Sequence, residues 1–179
     1  MIPPAIIRRL CNPKLEASAF TPTKFDTSDD KAWFGNALLS FLAKDCPPSA
    51  FSNRFYCRLS NCFGHIAHYN KHQFYQDFFL DDSSKIEFLR QTLQWPFFGD
   101  PNFTYSDVER AVSARIKHSG LLEIYEARFK TQAEIEERAQ FARLKAKFHP
   151  TPDNKPQSNP ATDAAPPPLK QGELFDLAP

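Results

Sequence analysis

The chain is 179 residues long, which suits one domain, and its formal charge is only +1 at pH 7. A dedicated nucleic-acid binder would carry a strongly basic balance, so that class is disfavoured. No apolar run reaches the roughly 18 residues of a membrane span. The opening "MIPPAIIRRLCNPK", broken by Pro3 and Pro4, is too short in its apolar part for a signal peptide, so a cytoplasmic protein is expected.

In chain order, residues 1–27 lack periodicity and read as an irregular N-terminal segment; a helical domain is expected over 28–148. Its first helix takes Ser28 as N-cap, has acids in its first turn and spaces Trp33, Phe34, Ala37, Leu38, Phe41 and Leu42 along one side. Pro47 and Pro48 end it, a second helix begins near Ser49, and Asn70 caps a short third one. Ser84 with Glu87, and Ser106 with Glu109, form capping-box patterns for two more. Pro96 stops the first of these and Gly120 the second. A last helix, from about Leu121 to Phe148, carries Glu123, Glu126, Glu134, Glu136 and Glu137 early and Arg138, Arg143, Lys145 and Lys147 late, as the helix dipole favours. No alternating strand is bracketed by hairpin turns. The expected class is all-α: a compact, aromatic-rich domain of about five or six helices, its core supplied by the chain's 18 phenylalanines. With no export signal, Cys11, Cys46, Cys57 and Cys62 are expected as reduced thiols.

After His149 the composition changes. Seven of the 16 prolines fall within 150–168, and Leu169 is the one large apolar side chain before residue 171, too little to offset the entropy of ordering. Residues 149–170 are therefore expected to be a disordered, Pro-rich linker. Yet the segment 171–177, "QGELFDL", ends that tail with Leu174, Phe175 and Leu177. Gln171, Leu174 and Phe175 resemble the Gln-x-x-Leu-Phe core of the peptide by which bacterial polymerases and repair proteins hold the β sliding clamp. Glu173 stands where that motif often has an acid or serine; Gly172 departs from its preference for leucine. The resemblance implies Leu174 and Phe175 as apolar anchors, Gln171 as the polar one, and the β clamp as partner. The linker's 22 residues span about 26 Å root-mean-square, enough to hold a partner while leaving the body free. Two other readings stand beside it. The segment "ELFDLA" can pack on the body as one helical turn, or bind a different partner: "LFDL" resembles the clathrin box, although Ala178 stands where that box has an acid.

Between Asp45 and Asp77 there is no carboxylate, and the run carries Arg54, Arg58, Lys71, His65, His68 and His72 among aromatics. On one continuous helix, Arg54, Arg58, Asn61, His65, His68 and His72 form a polar stripe beside an apolar face of Phe51, Phe55, Leu59, Cys62, Ile66 and Tyr69. A break at Gly64 or Asn70 would move His72 off that line. Three readings follow. Arg54, Arg58 and Lys71 contact nucleic-acid phosphates, with bases stacking on Tyr56, Tyr69 or Tyr75. Alternatively His65, His68 and His72, with Cys62, hold a metal, although the spacing fits no standard zinc pattern. The plainest reading is a solvated polar face over an aromatic core, with the cysteines as small buried hydrophobes.

Motifs of catalysis are missing: no Gly-rich phosphate loop, nucleophile elbow, paired CxxC or HExxH occurs, and no catalytic residue or cofactor is assigned. The acids at Asp81, Asp82 and Glu87, and at Asp100, Asp107 and Glu109, fit turns and caps as well as a metal site. The expected function is a non-enzymatic accessory or regulatory protein of bacterial, plasmid or phage DNA replication or repair, docked on the β clamp through its tail. Its body would meet DNA or another clamp client. The alternatives are a small metal-dependent nucleic-acid enzyme delivered by the same peptide, and an adaptor whose tail binds a non-clamp partner.

Overall fold

The computed structural model describes residues 2–62, 70–94 and 104–148. Among them are seven α-helices and no strand: α1 (Pro4–Cys11), α2 (Ser28–Ala43), α3 (Asn53–Cys62), α4 (Lys71–Phe79), α5 (Asp82–Leu93), α6 (Ser106–Ser119) and α7 (Leu121–Phe148). Short 3-10 turns occupy Ala17–Ala19 and Pro48–Ala50. The protein is all-α, as its periodicity predicts. Met1–Arg138 forms one compact unit and Ala139–Pro179 a second. The division falls inside α7, which buries nothing beyond Tyr125. The expected linker 149–170 and docking peptide 171–177 lie outside the described residues.

Helix α2 is the centre of the first unit. Phe34, Leu38, Leu39, Phe41 and Leu42 are all buried, and so are Lys31 and Gly35 on its other sides. A helix enclosed on most sides needs neighbours around it, and α1, α3 and α6 all pack against it. An aromatic cluster fills the space between α2 and the following helices. Phe41 meets Phe79 edge-on at 4.9 Å, and Phe79 meets Phe88 at 4.9 Å. Phe51, held in the turn before α3, lies within 6.1 Å of Phe41, Phe55, Tyr56, Phe74, Tyr75 and Phe79. Offset and edge-to-face pairs of this kind add about 0.5–1.5 kcal/mol each to the area they bury.

Several local expectations are corrected. The segment 1–27 is not irregular throughout, since Pro4–Cys11 is helical. Pro4 occupies the first turn, where a missing N–H costs nothing and a fixed φ favours the start of a helix. The remainder holds only the 3-10 turn Ala17–Ala19 and is pinned by side-chain bonds. Asn36 bonds both the N–H and C=O of Leu15, at 2.9 and 2.8 Å, and Arg115 donates to the carbonyls of Asn12 and Pro13 at 2.6 Å each. The cap of α2 is Thr27, in a reciprocal capping box with Asp30, while Ser28 lies inside the helix and donates to Phe20 O. Helix α5 starts at Asp82 under an Asp81 cap that accepts from Ser84 N, and Glu87 instead accepts from Gln91. Helix α6 has no side-chain cap from Tyr105, and Glu109 is buried. The second helix opens at Asn53, with Ser52 Oγ accepting from Phe55 N. Asn70 does cap α4, accepting from Gln73 N, and Gly120 ends α6 at φ 75° in the left-handed region where glycine is unstrained. Helix α7 has the bounds its sequence pattern predicts.

Candidate functional site

The run that lacks acids in sequence does not lack them in space. Arg58, on α3, forms a close ion pair with the buried Asp26, lies 3.8 Å from Asp30 and donates to the Tyr105 hydroxyl at 3.1 Å. Arg54, one turn earlier, sits 4.1 Å above the Trp33 ring and 3.9 Å from Asp30, with two-thirds of its side chain exposed. Two acids four residues apart at the start of α2 thus meet two arginines four residues apart on α3. The physical effect is neutralisation. A phosphate approaching Arg58 would have to displace Asp26, whose side chain is only 5% exposed. The stripe expected through to His72 is also not one helix: Asn70, in extended backbone at φ −74° and ψ 157°, opens α4 afresh. Lys71 and His72 belong to that new helix, half-buried and exposed respectively. His65, His68 and Tyr69 lie outside the described residues.

Of the stacking candidates, Tyr56 and Tyr75 line the aromatic cluster, and Tyr75 donates its hydroxyl to Cys46 O at 2.8 Å. Among the described residues no group of three or more His, Cys, Asp or Glu side chains is placed to hold a metal. The cysteines are all unpaired thiols. Cys46 and Cys62 are buried, and burial pushes the Cys46 thiol up to about 12 and the Cys62 thiol well above its ordinary value. Thiols held protonated in this way are poor nucleophiles and poor ligands, so these two serve as small apolar side chains. Cys57 departs from that pattern and is exposed.

A charged centre that the sequence reading missed lies where α2 ends. Asp45 and Cys46 both take positive φ, 64° and 56°, a region rare for residues other than glycine. The strained turn turns the Asp45 carboxylate toward α5 and α7. It receives Lys85 Nζ at 3.0 Å, the Tyr125 hydroxyl at 2.9 Å and Arg128 Nη1 at 3.1 Å. Arg128 also binds Asp82 at 3.0 Å, which closes a network of two acids and two bases around the fully buried Tyr125. Partial burial would raise the Asp45 pKa, but the bonds from Lys85 and Tyr125 and the charges of Lys85 and Arg128 outweigh it and hold the carboxyl below its usual range. Burial, with the nearby Cys46 and Asp45, pushes the Tyr125 hydroxyl well above its ordinary value, so it stays a donor. Beside this network Asp82 and Arg128 join Pro3, Ile124, Ala127, Thr131 and Gln132 around a cleft of about 560 Å³. The charges there compensate one another, so the arrangement ties α2, α5 and α7 together more than it prepares a site for an ion. Only one signal pointed to it: an aspartate after a helix with no glycine to supply the left-handed residue.

Elsewhere Lys31 is buried inside α2 and paired with Asp107 at 3.1 Å while donating to Thr104 O at 2.6 Å. Asp107 therefore anchors the start of α6 to α2, and Asp81 caps α5; neither acid is spare for a two-carboxylate metal site. Asp100 lies outside the described residues. No helix among the described residues is long and apolar enough to cross a membrane. Compared with protein-family models, curated proteins and solved structures, the chain matches none.

Proposed function

We propose that the chain is an accessory protein of bacterial, plasmid or phage DNA replication or repair that docks on the β sliding clamp through Gln171, Leu174 and Phe175, with Leu177 adjoining. One observation carries this reading: "QGELFDL" sets three large apolar residues and a matching glutamine beyond a Pro-rich stretch that has almost no apolar side chains. A short peptide offsets the entropy of ordering only if a few large anchors fill pockets, and Leu174 and Phe175 are those anchors. The amide of Gln171 both donates and accepts, as a polar rim contact requires. Docking of this kind would place the protein in the cytoplasm and its helical body beside a clamp client. The compensation of Arg58 by Asp26 favours a protein client over DNA phosphates for that body.

Displacement of a fluorescent clamp-binding peptide from a purified bacterial β clamp by the whole chain tests the reading. Displacement that weakens at least tenfold on Gln171→Ala, and is abolished on Phe175→Ala, supports it. No displacement at 100-fold excess over the probe, roughly a 2.7 kcal/mol range, removes the clamp as partner.

A further inference from the structure

From Glu134 to Phe148 every residue of α7 is exposed. Within the second unit, Phe141, Leu144 and Phe148 recur at the three- and four-residue steps that place side chains on one helix face. They are 68, 46 and 68% exposed. With Lys145 they line a hollow of about 370 Å³. Large apolar side chains gathered in this way mark a contact surface. Around them residues 139–148 carry Arg143, Lys145 and Lys147 and no acid. The occupant such a surface fits is short, apolar and acidic.

Residues 171–177 of the same chain have that chemistry: Leu174, Phe175 and Leu177 stand beside Glu173 and Asp176. The 22 residues from 149 to 170 join the two, a length whose root-mean-square span of about 26 Å lets the segment fold back. A tether this short holds its end at an effective concentration of order millimolar, enough for a weak contact to form within one molecule. We propose that the hollow of Phe141, Leu144, Lys145 and Phe148 binds this chain's own segment 171–177, capping it until a partner withdraws it. The contact stands on the helix and the peptide alone; its role as a brake on docking rests on the clamp reading above. An open hollow on one helix covers less of Leu174 and Phe175 than closed pockets would, so the cap yields to a true receptor.

Hydrogen exchange of the full chain tests the contact directly. Amides of residues 141–148 are expected to exchange several-fold more slowly in the native chain than in a Leu174→Ala, Phe175→Ala variant, at any protein concentration. Equal exchange in the two overturns the proposal. Protection that grows with concentration also overturns it, by placing a second copy in the hollow. Tail-dependent protection without any clamp binding sustains the cap and removes the clamp; clamp binding without such protection removes the cap alone. Where the clamp does bind, Phe141→Ala with Phe148→Ala is expected to tighten that binding several-fold. Both side chains are exposed, so the fold survives the change, and unaltered affinity contradicts the brake.

Discussion

Replacing Asp45 by asparagine isolates the charge at the turn after α2. Asparagine matches the shape of aspartate and tolerates φ near 64°, so the backbone is preserved. Tyr125 can still donate to the amide oxygen, and Arg128 keeps Asp82 at 3.0 Å. Lys85, which is 8% exposed, loses its close carboxylate charge and keeps Asp82 at 3.8 Å as its acidic partner. Removing one partner of a buried pair costs about 3–5 kcal/mol, and an exposed pair is worth about 0.2–1 kcal/mol. A third of the Asp45 side chain meets solvent, so a loss of about 2 kcal/mol is expected at pH 7. With a urea m-value of about 2 kcal/mol/M, the midpoint falls by about 1 M. The folded carboxyl is held below its unfolded value, so its contribution is complete above about pH 4 and is lost as pH falls through the folded value. The gap between the native chain and Asp45→Asn therefore closes in acid. Asp45→Ala adds the cost of a left-handed alanine, about 1 kcal/mol beyond Asp45→Gly. A difference under about 0.5 kcal/mol at pH 7, or a gap that widens on acidification, refutes the reasoning.

Arg58→Ala is expected to cost about 3 kcal/mol in urea unfolding, because it leaves Asp26 buried without its guanidinium, whereas the exposed Arg54→Ala costs less than about 1 kcal/mol. If instead the pair leaves stability unchanged and abolishes a steeply salt-dependent binding to oligonucleotides, the arginines serve phosphate and not the fold. Asn70→Ala, read by thermal unfolding, should cost about 1 kcal/mol through loss of the bond to Gln73 N, and no change would deny that cap. Phe79→Ala empties the centre of the aromatic cluster and is expected to cost about 3–5 kcal/mol; below about 1 kcal/mol, the cluster is not the core described.

What was legible in the sequence was mostly local. The bounds of α7, the Asn70 cap and Gly120 follow from periodicity and backbone preference, which act within a few residues. The caps differ from expectation at two helices: Thr27 takes the place of its neighbour Ser28, and Asp81 that of Ser84 three residues on, because the choice depends on which hydroxyl or carboxyl reaches the third N–H. Helix α1 was hidden by Pro3 and Pro4, read as a break when Pro4 marks a start. Charge pairing was the least legible. The stretch containing Arg54 and Arg58 is acid-free along the chain, and its acids arrive from Asp26 and Asp30 on another element. The matching four-residue spacing of the two acids and the two arginines was the available signal. Asp45, three elements' common contact, looked like no more than the edge of that stretch.

Whether the tail finds a clamp decides the proposed role of the protein. Calorimetric titration of a purified bacterial β clamp with the full chain, beside a Leu174→Ala, Phe175→Ala variant, measures it most directly. Micromolar or tighter binding by the native chain, weakened at least 100-fold in the variant, is the expected result, equivalent to about 2.7 kcal/mol for two anchors. Absence of heat with the native chain, or equal binding by the variant, contradicts it.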